Sequence, residues 1–280
     1  MTKATLLIPA HNEEALIGRT LWYLTKGLPL NDFEVIVIAN GCTDATASRA
    51  RSALPQAKVI ETDQPGKCNA LNLGYAASDK TTPTICLDAD LDVTSESLMA
   101  LVAPLAEGQA LAACGKMDVA TPHASPAVRA FYKGWKSNPY FNRGKFGGLF
   151  ALSAEAAERL FPLPEITADD EFIRRSFAED QKLFVPACSF VARAPARLSD
   201  LVKVRRRSLR GARQVSGMGL PSPERGSAFA MLKQAVLMPS EAISISFFLL
   251  VMTWVRLSLM LEGEAAKTRW ERDLSSRALG

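Results

Sequence analysis

Short apolar runs alternate with amphipathic stretches over roughly the first third of this chain. The apolar runs are too short for helices and are bounded by turn residues, so each predicts a buried strand. The predicted strands cover residues 5–8, 33–39, 58–60 and 85–88, and Pro9 is expected to end the first. The stretches between them predict helices that end near residues 24, 53 and 76. This alternation favours an α/β fold with an open, Rossmann-like, mainly parallel sheet and helices on both faces.

Polar residues directly follow the predicted strands. In open α/β sheets, ligands bind beyond the carboxyl ends of the parallel strands. We therefore expect one ligand site to be formed by four short polar segments. These are His11-Asn12-Glu13, Asn40-Gly41, Gly66-Lys67 and Asp88-Ala89-Asp90.

The fourth apolar run ends in two carboxylates, Asp88 and Asp90. Alternate strand residues point to the same side, so the two side chains should lie close together, and Asp92 continues the spacing. Neighbouring carboxylates repel each other unless a cation lies among them, and hard divalent cations bind carboxylate oxygens. The alternative is an Asp-rich turn that caps the helix predicted to begin near Ser95.

Composition and motifs disfavour several classes of protein. The chain has 280 residues, of which 48% are hydrophobic and 22% are charged, as in ordinary globular proteins with a substantial core. Its net charge of +4 is too small to indicate nucleic-acid binding. The absence of G-x-x-x-x-G-K-S/T, and of G-x-G-x-x-G after the first strand, disfavours Walker-type NTPases and Rossmann dehydrogenases. Five scattered cysteines and the lack of a signal-peptide pattern predict a reduced, cytoplasmic environment.

The last third of the chain has a different pattern. Six basic residues without an acid lie between Lys203 and Arg213, and a Gly/Pro/Ser-rich linker is predicted at 217–226. Residues 242–255 are nearly all apolar until Arg256 interrupts, which is shorter than the about 20 residues of a membrane span. Three interpretations stay open: a helix that lies in a membrane interface or forms an oligomer through 240–261, a span, or ordinary core. The neighbouring basic cluster favours a cytosolic membrane face.

Six motifs together resemble those of family 2 inverting glycosyltransferases with the GT-A fold. They are, in chain order, Ile8-Pro9-Ala10-His11-Asn12-Glu13-Glu14, Asn40-Gly41-Cys42-Thr43-Asp44, Gly66-Lys67-Cys68-Asn69-Ala70-Leu71-Asn72, Asp88-Ala89-Asp90, Gly147-Gly148-Leu149-Phe150-Ala151-Leu152-Ser153 and Ala168-Asp169-Asp170. The resemblance covers residues 4–215. It implies a GT-A domain at 1–216, the linker at 217–226, and a C-terminal helical segment at 227–280 for membrane association or oligomerisation.

The resemblance implies roles for most of these residues. The nucleotide base would lie against the ends of the first two strands, and the family usually has Asp where this chain has Asn40. The implied donor-binding residues are Pro9, Ala10, Asn12, Glu13, Asn40, Gly66, Lys67, Asp88, Ala89, Asp90, Gly148, Arg207 and Arg210. The implied metal ligands, for Mg²⁺ or Mn²⁺, are Asp90 and Asp88. For the basic cluster that holds Arg207 and Arg210, contact with anionic lipid is the alternative to the donor diphosphate.

The resemblance further implies a catalytic base at Asp169, with Asp170 as the neighbouring alternative. Such a base accepts the proton of an acceptor hydroxyl while that oxygen attacks the anomeric carbon, and a single displacement inverts the configuration. Acidic residues at a helix start also act as simple partners of the helix dipole.

The predicted function is therefore a metal-dependent, inverting hexosyltransferase. It would transfer a sugar from a nucleoside diphosphate, expected to be UDP, to a hydroxyl of a saccharide or polyprenyl-linked acceptor in bacterial cell-surface polysaccharide assembly. The expected location is cytoplasmic and peripheral, at the inner face of the cytoplasmic membrane, with no nucleic-acid partner. The alternatives are a nucleotidyltransferase on a related fold and a non-catalytic scaffold that binds nucleotide.

Overall fold

The computed structural model describes residues 3–27, 29–138, 144, 146–221 and 228–261. The strands are β1 (Ala4–Ala10), β2 (Phe33–Asn40), β3 (Lys58–Thr62), β4 (Thr84–Leu87), β5 (Ala112–Ala120), β6 (Leu149–Leu152) and β7 (Lys182–Arg193). The α-helices are α1 (Ile17–Leu24), α2 (Thr46–Ala53), α3 (Lys67–Ala76), α4 (Ser95–Ala106), α5 (Pro126–Lys136), α6 (Ala154–Leu160), α7 (Asp169–Ser176), α8 (Leu198–Ser216), α9 (Ala228–Leu237) and α10 (Pro239–Met260).

The seven strands form one sheet in the order β3-β2-β1-β4-β6-β5-β7. β1 pairs in parallel with β2 and β4, and β2 pairs in parallel with β3. β6 is antiparallel to both β4 and β5. The predicted α/β architecture with a mainly parallel sheet is confirmed, and the ends of β1, β2 and β4 lie side by side.

The two faces of the sheet carry separate apolar clusters. Alternate residues of a strand point to opposite faces, so Leu6 and Ile8 pack on one side of β1 and Leu7 packs on the other. Residues of α1 and α4 cover the first side, and residues of α3, α6 and α7 cover the second. Helices therefore lie on both faces, as predicted.

Pro9 lies inside β1, opposite Ile38 of β2, so the prediction that it ends the strand is wrong. The N–H of Thr5 donates to the carbonyl of Pro83, on the β4 side. Residues two apart in a strand share this direction, so the missing N–H of Pro9 also falls on that side. The pairing of β1 with β4 ends at Leu7, and no ladder hydrogen bond is lost at Pro9.

The described chain divides into two compact units. One comprises the described residues within 1–118 and 144–192 and carries most of the sheet. The other comprises those within 119–143 and 193–279 and contains α5, α8, α9 and α10. The predicted boundary at 217–226 falls partly outside the described residues, and the predicted three-part division stays a prediction.

In the second unit, helix α10 is longer than the continuous apolar run at 242–255. It runs without a break for 22 residues and passes through Arg256, which interrupts only the apolar run of the sequence. The guanidinium of Arg256 is compatible with the helix because the residue lies on its exposed side. Among the described residues, α10 alone has the length and apolar composition of a membrane span.

Candidate active site

The structure brings Asp88, Lys67 and Asp169 together at the carboxyl end of the sheet. Asp88 follows β4, Lys67 is the first residue of α3, and Asp169 is the first residue of α7. The Lys67 Nζ atom lies 2.7 Å from Oδ1 of Asp88 and 2.8 Å from Oδ2 of Asp169. One ammonium group thus connects two of the predicted site carboxylates that are far apart in the chain.

Burial and charge in this cluster shift the pKa values of its members. Burial alone would lower the pKa of Lys67, but the carboxylates of Asp169 and Asp88 raise it well above its ordinary value. Burial and the nearby Asp88 raise the pKa of Asp169, and the ammonium of Lys67 opposes that shift. The Asp169 side chain is only 4% exposed, whereas that of Asp88 is 35% exposed. Asp88 is therefore the more solvent-accessible of the two carboxylates, and Asp169 is almost fully buried.

Gly148 is placed against Asp88. Its carbonyl accepts a hydrogen bond of 2.7 Å from the backbone N–H of Asp88, and its φ angle is +75°. A Cβ atom at this position would lie 2.9 Å from Oδ2 of Asp88. Glycine is required here for both conformation and space, so the structure brings Gly148 to the predicted site.

Asp170 lies next to Asp169 but in a more exposed position. One of its carboxylate oxygens, Oδ1, accepts a hydrogen bond of 2.8 Å from the N–H of Glu171 at the start of α7. Asp170 thus binds a backbone N–H at the helix start, which is the structural alternative to a catalytic role. Asp169 is the acid in direct contact with Lys67.

Helix α1 holds the segment that carries Asp88 and Asp90. The Thr20 hydroxyl donates a hydrogen bond of 2.8 Å to the carbonyl of Ala89. The Arg19 guanidinium donates to both carboxylate oxygens of Asp92, and the backbone of Asp92 forms a bridge with Val191. The carboxylate of Asp92 is therefore paired with Arg19. The acid at position 92, which continues the spacing of Asp88 and Asp90, has a structural role.

This support from α1 was missed by sequence reasoning. The signal that was available is the position of Thr20, which is a polar residue on the apolar side of α1 and is 1% exposed. A buried hydroxyl needs a hydrogen-bond partner, so such a position indicates a specific tertiary contact.

Asn40 is buried and its amide is used to hold the cleft together. Its Nδ2 donates to the carbonyls of Ala10, at 2.9 Å, and Ile38, at 3.3 Å. Its Oδ1 accepts from the N–H of Gly66 at 3.1 Å. The residue is 2% exposed, so its side chain connects the ends of β1 and β2 to the turn before α3.

The predicted residues after β1 lie at the same end of the sheet. Asn12 adopts φ +51°, and its Oδ1 accepts a hydrogen bond of 2.7 Å from the N–H of Thr43. The N–H of Glu13 donates to the Thr46 hydroxyl at 2.8 Å, and Glu13 is 7% exposed. These contacts hold the chain after β1 against the start of α2.

Arg207 and Arg210 lie on α8 of the second unit, and Pro9, Ala10, Gly66 and Ala89 lie at strand ends or turns of the first. The structure thus brings the predicted site residues of the first unit to one end of its sheet. The part assigned to the two arginines stays a prediction.

The donor set at this end fits Mg²⁺ or Mn²⁺. Asp88 and Asp90 offer hard carboxylate oxygens at a partly exposed position. Among the residues that the structure describes, no group of three or more His, Cys, Asp or Glu side chains is arranged to hold a metal. Two carboxylates nevertheless suffice for an ion that completes its coordination with water and substrate phosphates.

The fold is that of GT-A-type glycosyltransferases, and similar solved structures share it. A mannosyltransferase from Pyrobaculum calidifontis, in complex with GDP-Man and Mn²⁺, is 20% identical with a TM-score of 0.60, over 94% of this chain and 77% of that one. Glucosyl-3-phosphoglycerate synthase from Mycobacterium tuberculosis, in complex with Mn²⁺, UDP-Glc and glycerol 3-phosphate, is 21% identical with a TM-score of 0.55, over 79% and 82% of the two chains.

The chain belongs to glycosyl transferase family 2, whose family model matches residues 5–161. The resemblance seen in the motifs is thereby confirmed for this family and for the GT-A fold. A comparison with curated protein sequences gives no match.

Proposed function

We propose that this protein is an inverting, metal-dependent hexosyltransferase that moves a sugar from a nucleoside diphosphate to an acceptor hydroxyl. The observation that carries the proposal is the shared contact of Lys67 with Asp88 and Asp169. It joins a carboxylate suited to the donor diphosphate and its metal with a second carboxylate suited to the acceptor. A transferase needs both of these functions within one sugar's reach.

On the donor side, Asp90 and Asp88 would hold Mg²⁺ or Mn²⁺. The bound ion would stabilise the negative charge that develops on the nucleoside diphosphate leaving group. Lys67 already lies beside Asp88 and provides a second positive charge close to the same phosphates. The similar structures that contain Mn²⁺ together with UDP-Glc or GDP-Man support this assignment.

On the acceptor side, Asp169 is the proposed base. The proximity of Lys67 favours the ionised form of its carboxylate before the reaction, as a base requires. Its burial raises the pKa toward that of a more effective proton acceptor. Asp170 is the weaker candidate because its Oδ1 already accepts from the backbone of Glu171.

For the donor we propose a uridine diphosphate sugar, bound with its base at the ends of β1 and β2. Because Asn40 and Ala10 are both buried, the base would contact the more exposed atoms around Asn12. For the acceptor we propose a saccharide or polyprenyl-linked hydroxyl of a bacterial surface polysaccharide. The enzyme would then work in the cytoplasm at the inner face of the cytoplasmic membrane.

The test measures release of nucleoside diphosphate from nucleotide sugars with Mn²⁺, for the wild type, Asp90→Ala and Asp169→Asn. We expect turnover by the wild type and a loss of about 100-fold or more in each variant. Asp169→Asn removes the proposed general base, and Asp90→Ala removes a proposed ligand of the ion that stabilises the leaving group. Asp180→Asn, at an exposed position, is the matched control and should keep full activity. In a transfer assay, NMR of the product should show an inverted anomeric centre.

Two results would overturn the proposal. Tight binding of nucleotide sugar without turnover, with a panel of saccharide and lipid-linked acceptors present, would favour a scaffold. Release of pyrophosphate from a nucleoside triphosphate in place of nucleoside diphosphate from a sugar donor would favour a nucleotidyltransferase.

A further inference from the structure

Helix α10 has one face that packs inside the second unit. Its buried side chains recur every three or four residues over nearly the whole helix, and they are Ile245, Phe248, Val251, Val255 and Leu259. This face lies against α5, where the rings of Phe131 and Phe248 are 5.1 Å apart. The contact is close, since a Cβ on Gly134 would overlap the carbonyl oxygen of Ser244.

The opposite face of α10 is also apolar but is exposed. Leu250 is 68% exposed and Trp254 is 57% exposed, and their neighbours on the same side of the helix are Ile243, Leu257 and Leu261. Helix α9 likewise exposes Phe229, Val236 and Leu237. We call these exposed side chains of α9 and α10 the apolar face. Exposed apolar surface of this extent is typical of a binding surface.

The exposed charged side chains of α9 and α10 are positive. Lys233 on α9 and Arg256 on α10 are exposed, and an exposed Arg213 of α8 donates to the carbonyl of Leu259 at 3.5 Å. Glu241 is the sole acidic residue in the sequence between 228 and 261. Its carboxylate accepts hydrogen bonds from Ser137, at 2.8 Å, and Gln234, at 3.4 Å. The surface thus combines apolar side chains with basic ones.

We infer that the apolar face lies in the surface of a membrane that contains anionic lipids. Interfacial helices present Trp, Phe and Leu to the acyl chains and Lys or Arg to the headgroups, and binding grows with both contributions. The inference concerns the second unit alone and does not depend on the catalytic proposal.

The packing of α10 argues against a membrane span. To cross a bilayer in this packing, α10 would take α5 with it into the hydrocarbon core. Helix α5 has only 11 residues and carries Arg129, Lys133 and Lys136, and both lysines are exposed. Charged side chains are costly in the bilayer centre, so α10 lies along the interface.

The charges also argue against a second copy of the chain as the occupant. A symmetric pair would bring together two surfaces whose exposed charged side chains on α9 and α10 are all basic, and like charges in an interface are unfavourable. The sequence after Leu261 is mainly charged and polar, so it supplies few large apolar side chains for this face. An anionic lipid surface satisfies both the apolar and the basic groups.

The test is sedimentation of the full chain with sucrose-loaded vesicles of phosphatidylcholine, alone or mixed equally with phosphatidylglycerol. We expect binding to the mixed vesicles, weaker binding at higher salt, and little binding to neutral vesicles. The double variant Leu250→Gln with Trp254→Gln should bind at least about tenfold more weakly, because two apolar side chains no longer insert. Trp22→Gln, at a site of similar exposure on α1, is the matched control and should bind like the wild type.

Three outcomes would overturn the inference. They are no sedimentation with mixed vesicles at low salt, equal binding to neutral and anionic vesicles, and equal binding by the double variant and Trp22→Gln. Light scattering provides a separate check, because a wild-type dimer that the double variant abolishes would assign the face to a second copy. None of these results bears on the glycosyltransferase assay, so failure of this inference can be distinguished from failure of the proposed function.

Discussion

At the scale of single residues, two asparagines at the same end of the sheet differ in the hydrogen bonds that their amide groups form. Asn40 donates from its amide nitrogen to the carbonyls of Ala10 and Ile38. Asn12 accepts at its amide oxygen from the N–H of Thr43. The sequence predicts that both residues lie at strand ends, but it does not show which amide atom each one uses, because the partners come from distant segments.

We expect Asn40→Asp to destabilise the protein, although related enzymes usually carry Asp at this position. A carboxylate cannot donate, so it would face two carbonyl oxygens in a buried site, at a cost of about 1–3 kcal/mol in the free energy of unfolding. Urea unfolding measures the change. Asn12→Asp is the control, since a carboxylate still accepts from Thr43, and it should change stability by less than about 0.5 kcal/mol. Equal effects of the two substitutions would contradict the assigned roles.

At the scale of elements, the segment after β4 depends on α1. Arg19 and Thr20 hold this segment at Asp92 and at the carbonyl of Ala89. Removal of groups that orient metal ligands typically lowers metal affinity by about 10- to 100-fold. If Asp88 and Asp90 hold the metal as proposed, helix α1 has a positioning role for them.

The corresponding prediction is that Arg19→Met weakens the apparent affinity for Mn²⁺ about tenfold. Mn²⁺ affinity is measured by calorimetry in the presence of nucleoside diphosphate, which gives a readout independent of turnover. Arg49→Met, which removes an exposed arginine of α2, is the control and should leave the affinity unchanged. A drop in thermal stability with no change in affinity would show that the Arg19–Asp92 contact is only structural.

Element boundaries show where sequence reasoning succeeds and fails. The start of α3 at Lys67 was predicted because Gly66 and the apolar pattern act locally. Pro9 was wrongly treated as a break because its effect depends on the neighbouring strands. Pro9 is tolerated where β4 no longer pairs, and Arg256 is tolerated on the exposed side of α10.

At the scale of the whole molecule, the stability of the fold should depend on pH through Glu171. Its carboxylate accepts hydrogen bonds from Arg174, at 2.9 Å, and Arg175, at 2.7 Å. Burial alone would raise the pKa of Glu171, but the two guanidinium groups lower it below its ordinary value. A lowered pKa means that this contribution is present above the unfolded pKa of about 4.3 and is lost as the pH falls through the folded value.

We therefore expect Glu171→Gln to lower the free energy of unfolding by about 1–3 kcal/mol at pH 7. The difference from the wild type should shrink as the pH falls below about 4.3, because the wild-type carboxylate then becomes neutral as well. Denaturant titrations at several pH values provide the measurement. Glu179→Gln, which removes an exposed partner of Lys182, should change stability by only about 0–1 kcal/mol throughout. A constant difference for Glu171→Gln across this range would contradict the prediction.

The overall architecture was predictable because it follows from local patterns that repeat along the chain. Apolar runs and the polar groups after them predict the first four strands, their parallel arrangement, and the position of Asp88 and Asn40 at one end of the sheet. The contact of Lys67 with Asp169 was not predictable from such patterns, since it depends on how α3 and α7 approach each other in three dimensions. The resemblance to a family pointed to Asp169, and the coordinates supplied its partner.

Gly148 has a practical consequence for attempts to change the sugar that this enzyme transfers. Any larger residue there would push against the carboxylate of Asp88 before it could reshape the pocket. A mutagenesis library aimed at new donors should therefore keep this position constant and vary residues that line the cleft without touching the acids.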